Sequence, residues 1–254
     1  MAQQALRREA AVVSETPRLA GISVFLPSHN EEANVERVVG GYVATLPAIA
    51  NDYEVIVVND GSRDRTGAIA AQLAAQNSHV KVVNHEVNRG YGGAVISGIR
   101  AATLPWVLLS DGDGQFDPAD VAKLGSFTDR FDVICGRRVR RADNLLRRFN
   151  GKAWTMLVRV VLGVTISDID CGFKLLRREL LVDMPLRARG AMISTELMAR
   201  LQAKGARVCE VDVRHLPRLA GEQSGANFKV VARAFKELLQ LASELRAERR
   251  GGSS

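Results

Sequence analysis

Short apolar runs alternate with segments of helical periodicity along the first half of the chain. Five runs have the length and the Val, Ile and Leu content of buried strands: ISVFL (22–26), YEVIVVN (53–59), VKVVN (80–84), WVLLS (106–110) and FDVICG (131–136). Helical patterns follow the first four runs, at 31–46, 65–76, 92–102 and 118–127. This alternation is typical of right-handed crossovers. It predicts an α/β fold with a mostly parallel sheet covered by helices on both faces.

The second half of the chain is less regular. It predicts helices at 147–163 and 194–204 and a strand at 206–213. An apolar stripe at three-and-four spacing over 226–247 predicts an amphipathic helix: Val230, Val231, Ala234, Phe235, Leu238, Leu239, Ala242 and Leu245. Such a stripe more often packs on its own domain than on a partner or a membrane. We expect a loose leader over 1–20, one α/β domain over 21–225, and the amphipathic helix with a flexible tail over 226–254.

Length and composition fit one α/β domain, or one domain with an appendage. A chain of 254 residues that is 46% hydrophobic can bury a full core. The three cysteines Cys135, Cys171 and Cys209 lack CxxC spacing, and no apolar signal opens the chain, so we expect a reducing cytoplasm. The most apolar window, MLVRVVLGVTI, is short and interrupted by Arg159, which predicts no transmembrane helix.

The positive charge of the chain is concentrated in one segment. The formal net charge is +7, and residues 137–159 hold only Asp143 against a long basic set: Arg137, Arg138, Arg140, Arg141, Arg147, Arg148, Lys152 and Arg159. Such a run either binds a polyanion, such as nucleic acid, anionic lipid or a phosphorylated ligand, or forms a solvated face.

Polar motifs follow each of the first four predicted strands. They are LPSHNEE, NDGSRDRTG, NRGYGGA and DGDGQ. Singly each is weak, because Ser62 or Asp64 could cap a helix, Gly90 and Gly92 could serve turns, and His29 could be structural. The carboxyl ends of parallel strands share one edge of a sheet, so together the motifs predict a single ligand crevice.

The DGDGQ motif has the composition of a metal site. Asp111, Asp113 and Gln115 occupy alternate positions, and in an extended segment alternate side chains point the same way. Their oxygen atoms suit a hard divalent cation, and Gly112 and Gly114 leave room for a diphosphate. The alternative is an acidic turn, which would leave the glutamine unexplained. We therefore predict bound Mg²⁺ or Mn²⁺.

The ordered motifs resemble those of the GT-A domain of inverting family-two glycosyltransferases. The narrower resemblance is to dolichyl-phosphate mannose synthases and related polyprenyl-phosphate hexosyltransferases. It rests also on DIDCGFK (168–174) and on HLPRLAGEQSG (215–225), which is similar to the family's His-x-x-Arg-x-x-Gly-x-Ser. The resemblance covers roughly residues 22 to 225. Two positions depart from it, since His29 replaces the family's tyrosine and Asn59 replaces the first of its paired aspartates.

The resemblance implies a role for each matching position. Sugar-nucleotide binding falls to Pro27, His29, Glu31, Asp60, Arg89 and Asp111, and metal binding to Asp111, Asp113 and Gln115. The acceptor's phosphate would meet Arg138, Arg147 or Arg148, Arg218 and Ser224. The implied catalytic residues are Asp113, Arg138, Asp168 and Arg218. As a functional residue, Asp168 would be either a base or a group that orients Arg138 and the sugar hydroxyls; the alternative is that it only caps the following turn.

The implied activity is transfer of mannose or glucose from GDP-mannose or UDP-glucose to a polyprenyl phosphate. The enzyme is expected in the cytoplasm, peripheral at the inner face of the membrane, with Lys229, Arg233 and Lys236 flanking the stripe of its last helix. A transferase that acts on a hydroxyl of a soluble acceptor stays an alternative, as does a non-catalytic sugar-nucleotide-binding protein. A nucleic-acid-binding protein is disfavoured, because only 5% of residues are aromatic and the acidic crevice would have no role.

Overall fold

The computed structural model describes residues 18–139, 156–218 and 228–251, with side chains of the last range described over 237–248. The strands are β1 (Ile22–Ser28), β2 (Tyr53–Asp60), β3 (Val80–His85), β4 (Trp106–Ser110), β5 (Val133–Val139), β6 (Phe173–Arg177) and β7 (Val208–Arg214). The helices are α1 (Val35–Thr45), α2 (Thr66–Gln76), α3 (Tyr91–Ala101), α4 (Asp120–Gly125), α5 (Met192–Ala203) and α6 (Phe228–Gly251). Short 3₁₀ turns span Leu46–Ala48 and Arg178–Leu180, and residues 156–162 are helical.

The seven strands form one sheet in the order β3-β2-β1-β4-β6-β5-β7. β6 runs antiparallel to both of its neighbours, and the other pairs are parallel. The predicted mostly parallel α/β sheet is therefore confirmed. β6 was not predicted as a strand, because FKLLR is short, follows the DIDCG motif directly and is buried on both faces, so it carries no alternation.

Two apolar layers cover the sheet, as predicted. Phe25, Ile56 and Val58 point to the layer that includes the residues of α3, α5 and α6. Val24 and Val57 point to the opposite layer, which is formed with α1, α2 and α4. Successive strand residues face opposite sides of a sheet, so buried residues at consecutive positions mean that helices cover both sides.

The last helix packs on its own domain over the part whose side chains are described. Leu238, Leu241 and Leu245 are buried in the same layer as α5, whereas Leu239 is 64% exposed. Arg200 in α5 adds charge pairing, with its Nη1 2.9 Å from Glu248 Oε1. In the described ranges, no helix combines the length and the apolar content needed to cross a membrane.

The packed domain includes the last residues of the expected leader. Leu19 is buried and forms a single parallel bridge with Ala50, and the Arg18 guanidinium donates to the carbonyl oxygens of Pro47 and Ala50. Residues 1–17 lie outside the described residues, as do 140–155, where most of the basic run and the start of the predicted 147–163 helix fall. Predicted helix boundaries shift by up to about four residues; α1, for example, begins at Val35 after a turn over 32–34.

Candidate active site

The carboxyl ends of β1 and β4 open onto a cavity of about 330 Å³. β1 pairs with β2 on one side and with β4 on the other, so the strand order reverses between β1 and β4. Crevices for ligands form at such reversals, because the chain leaves the two strands in opposite directions. Residues predicted for nucleotide, metal and phosphate share its lining: Pro27, His29, Glu31, Asp60, Asp111, Asp113 and Arg218.

The DGDGQ motif is a turn and not an extension of β4. Gly114 has a φ of +73°, which favours glycine, and the Gln115 N–H donates to Asp113 Oδ1 at 3.0 Å. The expected convergence through extended backbone is therefore wrong in its geometry. Asp111 and Asp113 nevertheless line the same cavity, whereas Gln115 is not among the described residues that line it.

Asp111 is a half-buried residue held from two sides. Its backbone N–H donates to the Gly172 carbonyl at 3.1 Å, and the Tyr91 hydroxyl donates to its Oδ1 at 2.8 Å. Burial raises the pKa of Asp111 to about 6, and the charge of Asp113 adds to the rise, while Tyr91 and Lys174 oppose it. The site thus holds two neighbouring carboxylates whose ionised forms an added cation would stabilise.

Arg218 lies against the acidic wall of the cavity. Its Nη2 is 2.6 Å from Glu31 Oε1, and its Nη1 is 3.8 Å from Asp113 Oδ2. Burial raises the pKa of Glu31, although the hydrogen bond from Asn34 and the charge of Arg218 work in the opposite direction. Arg218, which was predicted to bind the acceptor's phosphate, therefore lies next to Glu31, predicted to bind the sugar nucleotide, and Asp113, predicted to bind the metal.

Asp60 is fixed in the cavity wall by groups on β3 and α3. His85 Nδ1 lies 2.6 Å from Asp60 Oδ1, and His85 Nε2 lies 2.8 Å from Ser97 Oγ. The Arg89 N–H donates to the same oxygen of Asp60 at 2.8 Å. Both of these contacts use Oδ1, and Asp60 lines the cavity.

His29 lies between this first cavity and a second cavity of about 530 Å³. Its Nδ1 lies 2.8 Å from the Asp60 carbonyl oxygen and 3.2 Å from Asn88 Nδ2, and His29 and Asn88 line both cavities. Asn59 lines only the second of these two cavities, where its amide donates to Asn84 Oδ1 at 2.9 Å. Of the two departures from the family pattern, His29 is therefore the one that borders the first cavity.

Arg138 and Asp168 are joined by two side-chain hydrogen bonds, and the Arg138 backbone N–H also donates to Asp168 Oδ2 at 3.2 Å. Arg138 Nε donates to Asp168 Oδ2 at 2.8 Å and Nη2 donates to Oδ1 at 2.7 Å, with side chains that are 13% and 9% exposed. Burial opposes the charge of Arg138, but the hydrogen bonds and charge of Asp168 outweigh it and raise the arginine's pKa. Of the two functional roles left open for Asp168, this geometry favours orientation of Arg138.

The remaining predicted residues fall elsewhere. Arg89 contacts the site through its backbone, and its side chain is exposed. Arg147, Arg148 and Ser224 lie outside the described residues.

The donor set at the DGDGQ turn fits a divalent cation. In the described ranges, no three His, Cys, Asp or Glu side chains are grouped so that they could hold a metal ion. Asp111 and Asp113 line the cavity as a pair of hard oxygen donors. Mg²⁺ characteristically takes one or two protein carboxylates and fills its other positions with water and substrate phosphates. Two carboxylates beside an open cavity match that requirement.

The comparison with known families settles the class of the protein. Residues 23–184 match the family described as Glycosyl transferase family 2, which is more than half of the chain. The chain belongs to glycosyl transferase family 2. It is a glycosyltransferase, which confirms the resemblance drawn from the motifs and the enzyme class that the resemblance implied.

Two curated relatives of this family-2 glycosyltransferase differ in how much is known of them. An uncharacterized glycosyltransferase of Mycobacterium bovis is 34% identical over 213 residues, which cover 79% of this chain and 88% of the relative. The undecaprenyl-phosphate 4-deoxy-4-formamido-L-arabinose transferase of Pectobacterium atrosepticum is 27% identical over 216 residues, 84% of this chain. The matched region spans 65% of that transferase's length.

Solved structures share the fold of this glycosyltransferase. Glucosyl-3-phosphoglycerate synthase from Mycobacterium tuberculosis, in complex with phosphoglyceric acid, superposes with a TM-score of 0.68 at 20% identity, over 91% of this chain and 81% of that one. The same synthase in complex with Mn²⁺ and UDP-glucose gives 0.66 at 21% identity, over 91% and 80%. The predicted GT-A architecture is therefore confirmed.

Three side chains at the site of this glycosyltransferase were not predicted: His85, Asn88 and Tyr91. Asn88 and Tyr91 belong to the NRGYGGA motif, in which the glycines alone suggested a role, in turns. His85 ends β3 directly beside Asp60, which ends β2 in the parallel register. A polar residue that ends the strand next to a predicted binding carboxylate is the signal that could have identified it.

His85→Ala is expected to weaken nucleotide binding about three- to tenfold, because Asp60 loses one of the two groups that orient it. Isothermal titration calorimetry with UDP or GDP and Mn²⁺ measures the effect. His79→Ala is the matched control: His79 stacks on Tyr53 at 4.1 Å and contacts its carbonyl, so its loss should leave nucleotide affinity unchanged. Equal affinities for wild type and His85→Ala would contradict the role.

Proposed function

We propose that this glycosyltransferase moves a hexose from a nucleoside diphosphate sugar to the phosphate of a polyprenyl phosphate. One observation carries the proposal: Arg218 shares a single cavity with Asp111 and Asp113. A pair of carboxylates can hold a diphosphate through a shared cation, and an arginine can bind a second phosphate directly. The cavity therefore offers complementary groups to two phosphorylated substrates at once.

The nucleotide is assigned to the wall formed by Pro27, His29, Glu31 and Asp60. The Asp60 carboxylate can accept hydrogen bonds from a base or a ribose, and the His29 ring borders the same space. UDP-glucose and GDP-mannose are the donors to be tested. UDP-glucose is bound by glucosyl-3-phosphoglycerate synthase, which is similar to this chain in fold, so that structure supports a UDP-sugar donor here only indirectly.

Asp111 and Asp113 are the residues that would hold Mg²⁺ or Mn²⁺. When bound, such an ion neutralises negative charge on the leaving diphosphate. Tyr91 keeps Asp111 oriented through its hydroxyl, and the Gly172 carbonyl accepts the Asp111 N–H. These contacts allow the carboxylate to meet its ligand without rearrangement, which lowers the cost of assembling the site.

A phosphate acceptor suits the groups around the cavity better than a hydroxyl acceptor. A hydroxyl must lose its proton to a base, whereas a phosphate monoester with a second pKa of about 6 is already anionic at neutral pH. Both carboxylate oxygens of Asp168, the candidate base, accept hydrogen bonds from the Arg138 side chain. In the proposed step an oxygen of the acceptor phosphate attacks the anomeric carbon, the bond to the diphosphate breaks, and the configuration inverts.

The relatives' names support a lipid phosphate and also supply the second candidate. The Pectobacterium atrosepticum transferase is named for undecaprenyl phosphate, which is a polyprenyl phosphate. Glucosyl-3-phosphoglycerate synthase is named for a small phosphorylated acceptor, but at 20% identity it supports a common fold alone. We therefore rank transfer to a polyprenyl phosphate first and transfer to a soluble phosphorylated acceptor second.

Peripheral contact with the inner face of the membrane is part of the proposal. The helical segment 156–162 presents Met156 and Val160, which are 66% and 76% exposed and lie four residues apart, with exposed Arg159 beside them. Apolar side chains next to positive charge are typical of surfaces that bind anionic lipid. The basic run 137–159 leads into this segment along the sequence.

One assay decides between the acceptors. The protein is incubated with Mn²⁺ and radiolabelled UDP-glucose or GDP-mannose, and with undecaprenyl phosphate in detergent or with 3-phosphoglycerate in buffer. Label that enters the organic phase supports the proposed function, and label that enters only the aqueous product supports the second candidate. Sedimentation with phosphatidylglycerol liposomes, weaker at high salt, tests the membrane contact.

Arg218→Ala is expected to raise the KM for undecaprenyl phosphate about ten- to hundredfold, because a charge-assisted hydrogen bond to its phosphate is lost. The dissociation constant of the nucleotide should change by less than threefold. Arg63→Ala serves as the matched control, since Arg63 lines only the second of the two adjoining cavities. An unchanged acceptor KM in Arg218→Ala would remove this arginine from the acceptor site.

A further inference from the structure

Gln115 binds both backbone polar groups of Leu216. The Leu216 N–H donates to the Gln115 carbonyl at 2.8 Å, and the Gln115 side-chain amide donates to the Leu216 carbonyl at 3.1 Å. Residues 115 and 216 are far apart in sequence, so this closed pair of hydrogen bonds joins two distant segments. The neighbouring side chains also meet, because the Phe116 and His215 rings lie 5.5 Å apart in an edge-on arrangement.

The two joined segments carry the groups assigned to the two substrates. Gln115 ends the turn that presents Asp111 and Asp113, and its own N–H binds Asp113 Oδ1. Leu216 precedes Arg218 by two residues, and the Arg218 guanidinium reaches Glu31 and Asp113. The position of Arg218 therefore depends on how the backbone at 215–217 is held.

We propose that Gln115 is a positioning residue that holds the segment 215–218, and with it Arg218, against the DGDGQ turn. The proposal rests on the proposed function for its catalytic consequence, but its structural part is independent of the acceptor. Gln115 fixes the distance between the carboxylates that serve the donor and the arginine that serves the acceptor. This role differs from the metal ligation implied for Gln115 by the family pattern.

The chemistry of the contact requires an amide. The Leu216 carbonyl accepts a hydrogen bond, so the group that faces it must be a donor. In Gln115→Glu, a carboxylate of the same length would turn its lone pairs towards the Leu216 carbonyl oxygen, and the two groups would repel each other. The same carboxylate would still offer an oxygen ligand to a cation, and a stronger one than the amide does. Gln115→Glu therefore separates the two roles, since it breaks the tether and preserves metal binding.

The first arm of the test needs no substrate. Hydrogen–deuterium exchange of the full chain without ligands is followed in peptides that cover 214–218, for wild type, Gln115→Glu and Gln115→Ala. We expect exchange to be roughly fivefold faster in both variants, because a local opening that loses one hydrogen bond becomes easier. Gln202→Glu is the control: Gln202 likewise contacts both the N–H and the hydroxyl of Thr165, and its loss should leave 214–218 unchanged.

The second arm of the test measures whether Gln115→Glu changes the KM for the acceptor, the affinity for the nucleotide, or both. Gln115→Glu should raise the KM for undecaprenyl phosphate about five- to tenfold, while the affinity for UDP or GDP with Mn²⁺ stays within twofold of wild type. In an Arg218→Ala background the same substitution should add less than twofold, because the two residues act as one unit. A metal ligand without a tethering role predicts the reverse, with normal acceptor KM and normal exchange in Gln115→Glu.

The outcomes are distinguishable. Unchanged exchange at 214–218 overturns the tether whatever the acceptor is. Faster exchange with an unchanged acceptor KM, in an enzyme that glycosylates undecaprenyl phosphate, overturns its role in positioning Arg218. If wild-type protein transfers no sugar to undecaprenyl phosphate, the proposed function fails, and the exchange experiment alone decides whether Gln115 holds the segment.

Discussion

Asp113→Ala is expected to reduce sugar transfer by roughly 10³-fold or more, equivalent to about 4 kcal/mol of transition-state stabilisation. Asp113 lines the cavity beside Asp111, and the two carboxylates are those assigned to the metal. Asp113 Oδ2 also lies 3.8 Å from Arg218 Nη1, so the positive charge of the arginine partly offsets the negative charge of the carboxylate. Transfer rates at saturating donor and acceptor measure the loss. The same reaction should stop in EDTA and resume when Mn²⁺ or Mg²⁺ is added.

A matched variant separates loss of chemistry from loss of fold. Asp129 is an exposed aspartate whose only ion pair in the described chain is with its neighbour Arg130, so Asp129→Ala should retain full activity. Circular dichroism should show Asp113→Ala to be as folded as wild type, because its carboxylate makes one local hydrogen bond to the Gln115 N–H. Full activity in EDTA, or more than a tenth of wild-type activity in Asp113→Ala, would refute the metal assignment.

Asp111→Asn is expected to inactivate the enzyme and to stabilise the ligand-free protein at neutral pH. Burial raises the pKa of Asp111 from 3.8 to about 6, so ionising this group in the folded state costs free energy. Between those two pH values the folded chain holds a proton that the unfolded chain releases, and stability therefore falls as pH rises from about 4 to about 6. Asparagine has no charge to desolvate, and its Oδ1 can still accept the Tyr91 hydroxyl.

Urea denaturation in EDTA at several pH values measures this effect. At pH 7.5 the variant should exceed wild type in unfolding free energy by about 1–3 kcal/mol, and the difference should shrink towards zero near pH 4. Asp129→Asn, on the exposed surface, should show little change at either pH. A variant that is less stable than wild type at pH 7.5 would mean that the Asp111 carboxylate is already stabilised by the folded protein.

The results expected for Asp113→Ala and Asp111→Asn share one cause: the aspartate pair is needed for activity but lowers the stability of the ligand-free protein. The aspartate pair is unfavourable for the folded protein alone, because Asp111 is desolvated and lies near the charge of Asp113 in one cavity. The same arrangement favours binding of a cation with its diphosphate, so part of the binding free energy offsets the repulsion. Arg218 partly balances the acidic wall in the ligand-free protein through Glu31.

Local sequence patterns were sufficient for six of the seven strands and for the edge of the sheet where the site lies. Buried β1, β2 and β4 are continuous apolar runs, and each ends in polar residues that enter the cavity: His29, Asp60 and Asp111. The reason is geometric. Parallel strands joined by helices bring their carboxyl ends to one edge, so position along the sequence predicts position in space.

The partners of the site residues were decided by tertiary structure. β6 enters the sheet antiparallel between β4 and β5, and the loop before it brings Asp168 to Arg138 and Gly172 to Asp111. No periodicity in the sequence encodes such a reversal, because a strand of five residues buried on both faces has neither alternation nor a helical stripe.

The sequence by itself determined which residue types the site contains, since strand ends and motif spacing are local properties of the chain. Tertiary structure alone decided what each of them contacts: His85 for Asp60, Asp168 for Arg138, and Leu216 for Gln115. The physical reason is the same in each case. Hydrogen bonds of a few ångströms depend on strand register and loop packing between segments distant in sequence, and these are set by burial of the whole core rather than by the local pattern.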